Sequence, residues 1–315
     1  MKPKLTIITL VALSVLIISI ARCTSPAQNQ TVTRTTSVSA SAIATPTLTP
    51  TPPSRIPPSI SNLTMTAIDV GQGDPILLTF PHNASLLVDG GQQVEGPTVV
   101  AYLHSLGISH LNGVIATHPD ADHIGGLIDV LQSMNVDKVY DLGIPKSTTT
   151  YEKLLRIIKG KNVPYATPRA DDAINLDADT TVLVRNPSPP FFPIATDDND
   201  NSIVIKITYQ HISYLLTGDA ESSAEAQMVS MFNCSAYVLK VEHHGSKYSS
   251  SATFLNTVKP HIAVISVGAH NRFHHPANET LVRLAAVGAT LYRTDLQGTI
   301  VVTTNGQTVD VGTAR

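Results

Sequence analysis

Apolar and polar positions alternate along most of this chain, but not at its start. Residues 5–20, "LTIITLVALSVLIISI", form an almost unbroken apolar run behind the basic "MKPK". That order reads as a secretory signal or short membrane anchor over 1–22, a little short of the ~20 residues a relaxed span takes. From 23 to 60 Ser, Thr, Pro, Gln and Ala dominate, ending "TPTLTPTPPSRIPPS". Such a segment buries too little apolar surface to offset its ordering entropy, which predicts a disordered tether.

Residues 61–315 carry the patterns of a folded unit. Short β-rich runs come first ("LTMTAIDV", "PILLTF", "ASLLVDGG"), separated by the turn signals "GQGDP" and "PHN". A helix is predicted near 97–106, with Pro97 at its start and Gly107 after its end. Strand "LNGVIAT", helix "IGGLIDVLQSM", strand "VDKVYDLGI" and the amphipathic helix "TTYEKLLRIIKGK" follow. Beyond 163 the chain returns to strands, then alternates strand and helix through "AYVLKVE" and "HIAVISVG", and closes on "TLYRT", "GTIVVTT" and "QTVDVG". Meanders flanking strand–helix alternations predict two sheets packed face to face with helices outside, a four-layer α/β arrangement. A single doubly wound sheet fits the meanders less well.

Charge and cysteine use narrow the class. Five of the 21 Lys and Arg lie in residues 1–60, whereas all 24 Asp and Glu lie beyond, so the folded unit has a formal charge of −8. That is not the surface of a tight, non-specific nucleic-acid binder. Cys234 is the one cysteine of 61–315, so no disulfide forms within the unit and a buried apolar role is expected. Cys23 follows the apolar run where a lipoprotein signal places its acylated cysteine, although Arg22 is large and charged where a small residue is expected. Anchor, lipid and cleaved signal all predict an extracytoplasmic protein, secreted or held at the outer face of the cell membrane.

Ligand-type side chains recur at strand ends, where sites form in α/β folds. "IDVGQGD" supplies Asp69, Gln72 and Asp74; "THPDADH" supplies His118, Asp120, Asp122 and His123; "LLTGDAE" supplies Asp219; "LKVEHHG" supplies His243 and His244. Imidazole and carboxylate suit zinc, manganese or iron. His118 and Asp120, two apart in extended chain, can face one ion. Asp122 and His123 can reach a second ion, Asp219 can bridge, and His243 or His244 can complete the shell. Taken singly, Asp122 also suits a helix N-cap and "HHG" a solvated loop. Four such groups in "HPDADH" are costly to desolvate without a partner, which favours metal.

"THPDADHIGG" resembles the signature of the metallo-β-lactamase superfamily. With "IDVGQGDPILL", "LLVDGG", "NSIVIKI", "YLLTGDAE", "VLKVEHHGSKYSS", "NRFHHP" and "LYRTDLQGTIVV", residues 63–304 resemble the hydrolase domain of ComEC-like competence proteins. The resemblance implies an αββα sandwich and a site for one or two divalent ions, Zn2+ or Mn2+. It assigns His118 and Asp120 to the first ion, Asp122 and His123 to the second, Asp219 to the bridge, and His243, or alternatively His244, to the last ligand. Asp89 corresponds to a supporting aspartate, with Asp69, Gln72 and Asp74 also placed behind the ligands. His275, in the family's His-Pro pair, is a candidate acid for the leaving oxygen. Asn201, Ser202, Ser246 and Lys247 are candidate substrate contacts. The superfamily's further histidine before the bridging aspartate is missing, since that region reads "TDDNDNSIV". A more oxygen-rich first position follows, which favours manganese or partial filling.

The implied reaction is attack by metal-activated water on a phosphodiester, DNA or nucleotides being favoured, with Asp122 in the reacting centre. The expected form is a stand-alone tethered hydrolase domain, without the channel of full-length family members. Hydrolysis of another ester, such as a phosphocholine or lactone, is the alternative within enzymes. A non-catalytic metal-binding module is the alternative outside them. No protein partner is inferable.

Overall fold

In the computed structural model, residues 62–193 and 198–315 are described. The expected signal or anchor over 1–22 and the tether over 23–60 lie outside these residues. The first half runs β1 (Leu63–Ala67), β2 (Ile76–Thr79), β3 (Ser85–Val88), α1 (Gly96–Ser105), β4 (His110–Leu111) and β5 (Gly113–Ala116). It continues with α2 (Ala121–Ile124), α3 (Leu127–Ser133), β6 (Asn135–Val136), β7 (Val139–Asp141), α4 (Thr149–Gly160) and β8 (Tyr165–Ala166). The second half runs β9 (Thr180–Asn186), β10 (Val204–Tyr209), β11 (Ile212–Leu216), α5 (Ser222–Met231), β12 (Val238–Lys240) and α6 (Ala252–Val258). Then come β13 (Ile262–Ile265), α7 (Asn278–Ala286), β14 (Thr290–Arg293), α8 (Thr294–Gln297), β15 (Ile300–Thr304) and β16 (Val309–Thr313).

One sheet has the order β16-β15-β1-β2-β3-β5-β7-β8 and the other β14-β13-β12-β11-β10-β9. Each begins as an antiparallel meander and becomes parallel where helices enter as crossovers, at β3–β5 in the first sheet and β11–β12 in the second.

Strand alternation assigns the layers. On β2, Ile76 and Leu78 face the core between the sheets while Leu77 joins the helix-covered core of the first half. On β13, Ile262 and Val264 face between the sheets while Ala263 and Ile265 pack with α5, α6 and α7 residues such as Ala224, Phe254 and Leu284. A period of two with both faces apolar requires cover on both sides. The result is the expected four-layer α/β sandwich. Cys234 is buried in the second-half core as a free thiol. Among the described residues no helix is long and apolar enough to cross a membrane.

The two "GG" pairs explain how the first ligand loop is pressed against its neighbour. A Cβ on Gly126 would collide with the Gly90 carbonyl oxygen. Gly126 N donates to Gly91 O at 2.8 Å and Gly90 N to His123 O at 2.7 Å. Close backbone contact of this kind fixes His123 against the turn after β3.

Candidate metal centre

Four histidines approach one region from the segments after β5 and β12, and each is anchored at Nδ1. His118, after β5, has its Nδ1 3.1 Å from Thr117 Oγ1. That hydroxyl donates its single proton to Asp89 Oδ2 at 2.6 Å, so it accepts from His118 Nδ1–H. His123 Nδ1 donates to the same Asp89 oxygen at 2.7 Å. His244 Nδ1 donates to Ser266 O at 2.8 Å, and His243 Nδ1 to Glu221 Oε1 at 2.8 Å. Anchoring Nδ1–H leaves Nε2 of each ring available to coordinate, the usual arrangement behind a metal ligand.

The Nε2 atoms of His118, His123 and His244 are buried and make no hydrogen bond, and Asp219 Oδ1 is in the same condition. Asp219 Oδ2 lies 3.1 Å from His123 Nε2 and 3.7 Å from the Nε2 atoms of both His243 and His244. Asp122 Oδ2 lies 3.7 Å from His244 Nε2. Ligands bonded at ~2.0–2.2 Å to one ion stand roughly 3–3.5 Å apart, so small inward shifts would close this set. Two groups have donor atoms mutually within 4.8 Å: His118, His123 and Asp219, and Asp122, His123 and His244. The residues therefore fit a divalent ion. His244, rather than His243, joins Asp122 and His123. The chain turns left-handed at both positions, with φ of 44° at His243 and 51° at His244, a costly backbone for non-glycine residues. The turn directs the consecutive rings to different partners.

Electrostatics follow the geometry. Burial disfavours charge on His123, yet Asp219 and Asp89 outweigh it and hold its pKa well above the ordinary value. Burial likewise opposes the Asp219 carboxylate, but His123, His244 and His243 hold it well below the usual range. Burial and the charge of His123 push His118 down to about 4. An incoming ion therefore competes with a proton for His123. Binding is expected to release about one proton per ion and to weaken as pH falls. Calorimetry in buffers of different ionisation enthalpy checks this; a binding heat independent of buffer contradicts it.

The remaining expected residues sit as follows. Asp89, at φ 56°, also accepts the Thr117 amide at 2.9 Å, so it orients two ligands at once. Asp89→Ala is expected to weaken metal affinity by about 10–100-fold, read by chelator competition. Asp74 is paired with Lys240 Nζ at 2.6 Å. Asp69 turns away to Arg315, at 2.9 Å. Gln72 Oε1 accepts from Gly268 N at 3.3 Å. Asn201 splints the backbone of Phe192 through both its amide atoms, and Ser202 Oγ accepts from Asp219 N at 3.3 Å. Ser246 is buried, whereas Lys247 is exposed and stands over the Tyr248 ring. The His275 ring stands 5.4 Å from that of His243. Burial, then the charges of His243 and His244, lower its pKa to about 4, which leaves it a neutral imidazole near neutral pH. A cavity of about 400 Å³ opens beside Asp122, lined also by Gln72, Gln92, Asn271, Arg272 and Phe273. A larger one, about 740 Å³, lies away from the centre beside α1 and the outer face of β1 and β2.

Sequence reasoning missed Lys146, which pairs with Asp120 and Asp198, and Glu221, which anchors His243. It also missed Lys240. A lysine between Leu239 and Val241 on an otherwise apolar strand was a readable signal for a buried partner.

A fold of two facing sheets with imidazoles and carboxylates gathered at strand ends defines a metal-dependent class of protein. The chain belongs to the metallo-beta-lactamase superfamily, whose family model matches residues 68–270. Within it, the chain is similar to ComEC-like competence proteins. ComE operon protein 3 of Bacillus subtilis (strain 168) is 33% identical over 254 residues, covering 74% of this chain and 32% of that protein. Competence protein ComA of Neisseria gonorrhoeae is 30% identical over 239 residues, covering 75% and 31%. The chain thus spans about a third of the length of these curated relatives. Among solved structures, CmlA, a diiron beta-hydroxylase from Streptomyces venezuelae, has the same fold with a TM-score of 0.51 at 13% identity, covering 79% of this chain and 55% of that one.

Proposed function

We propose that the protein is an extracytoplasmic, metal-dependent phosphodiesterase acting on DNA or nucleotides. The observation that carries the hydrolase reading is the set of buried, unbonded Nε2 atoms aimed at Asp219, each with its Nδ1 anchored. A bound divalent ion would acidify water and offset charge building on a phosphoryl group. Asp122, His123, Asp219 and His244 would hold it. Asp89 and Ser266 keep the ligand rings in the coordinating tautomer. His275, a neutral imidazole beside His243, can share one proton with a substrate oxygen. Kinship with competence proteins supports a nucleic-acid substrate, and the signal-like N-terminus supports an outer location.

The rim suits a nucleotide. Phe273 is 45% exposed, its ring 5.8 Å from that of His275 and 4.8 Å from the Arg272 guanidinium. An aromatic face backed by a cation is the usual platform for a base, stacking being worth about 1–3 kcal/mol. Phe273→Ala is expected to raise KM for an oligonucleotide roughly tenfold or more, with little change for methyl p-nitrophenyl phosphate. Equal effects on both substrates would contradict base stacking. The primary test is turnover of bis(p-nitrophenyl) phosphate and linear DNA with added Mn2+ or Zn2+. Diester hydrolysis that chelator abolishes supports the reading. Hydrolysis confined to lactones or phosphocholine, or metal binding without turnover, overturns it.

A further inference from the structure

The expected first-ion ligands are not arranged around an empty centre. Lys146 Nζ stands 2.5 Å from Asp120 Oδ1 and 2.5 Å from Asp198 Oδ2. Asp198 is nearly buried, with its side chain 7% exposed. Asp198 lies in the "TDDNDNSIV" segment, which contains no histidine. His118 Nε2, 4.0 Å from Asp120 Oδ2, faces the same carboxylate from the other side.

We propose that Lys146 is a built-in cation at the first position, so that the centre holds one divalent ion, and that Lys146 binds a phosphate oxygen of the substrate. Two carboxylates brought together at a partly buried site need a positive partner. A fixed ammonium supplies it and repels a second dication from the same place. Among the described residues two carboxylates occupy the ammonium, which has three donors, so one N–H is left for a phosphoryl oxygen. Lysine is a common point-charge ligand for phosphate. The other half of the centre keeps its two imidazoles, His123 and His244, and two carboxylates, Asp122 and Asp219, and takes the ion. This deepens the phosphodiesterase reading and rests on it.

The test is metal stoichiometry of the full chain by native mass spectrometry, titrated with Mn2+ and Zn2+, alongside diester kinetics. The expected wild-type result is one tightly held ion, with any second at least about 100-fold weaker. Lys146→Met should free Asp120 and Asp198, raise the stoichiometry to two and lower kcat/KM about 100-fold. Lys146→Arg, which keeps the charge, should stay at one ion and keep a larger share of activity. Circular dichroism confirms that each variant is folded; if Lys146→Met is not, Lys146→Gln takes its place. Two ions of similar affinity in the wild type overturn the proposal while leaving the hydrolase reading intact. A stoichiometry of one in the folded neutral variant also overturns it. No bound ion at all overturns both.

Discussion

Asp219→Ala is expected to lower diester turnover by at least about 10³-fold while the domain stays folded. Asp219 is the carboxylate that three histidine Nε2 atoms share, at 3.1, 3.7 and 3.7 Å. It is 4% exposed, and its Oδ1 has no hydrogen-bond partner. Its loss removes a ligand and the negative charge that holds the cationic centre together. Metal stabilisation of a reacting phosphoryl group supplies several kcal/mol, which sets the magnitude. The fold should survive because His123 can shed its proton once Asp219 no longer holds it, so no buried charge is stranded. Asp219 also contributes its amide to Ser202 Oγ, and that bond is kept in the alanine variant. Steady-state kinetics with a melting curve separate the two effects. Retained turnover in a folded variant contradicts the assignment.

The second large effect is on stability. Lys240 is 1% exposed and Asp74 2%, and their charged atoms are 2.6 Å apart. Lys240 also donates to Val241 O at 2.9 Å. The pair joins the loop after β1 to the end of β12, and so links the two sheets behind the metal centre. Lys240→Met leaves the Asp74 carboxylate buried without its partner. Breaking such a pair from one side costs about 3–5 kcal/mol, and a domain of this size should lose on the order of 10 °C in Tm. Lys240→Met with Asp74→Leu should recover most of that loss, because the desolvated charge is then gone. Thermal and denaturant unfolding of the single and double variants decides it. A single variant within 1 °C of the parent would contradict the pairing.

How much of this was readable depended on range. The layers were legible because strands such as β2 and β13 carry apolar residues on both faces, and the helices between them show helical spacing. The two-residue strands β4 and β6 and the short helix α8 were not, since so few residues show no period. "THPDADH" announced its chemistry because its groups are costly to bury without an ion. His243 and His244 could not be separated, because consecutive residues on a turn have no periodicity to sort them. Their left-handed backbone does the sorting. Lys146 stands alone in "LGIPKSTTT", and its partners arrive from two other loops. Asn201 and Ser202 looked like substrate contacts because they are polar beside a site. In the fold they brace Phe192 and the Asp219 amide.

Anomalous diffraction at the zinc edge, on crystals of the metal-loaded protein, tests the central claim most directly. One strong peak is expected within bonding distance of Asp122, His123, Asp219 and His244, with Lys146 still between Asp120 and Asp198. A map with no peak among these four residues, or with its main peak elsewhere, would contradict it.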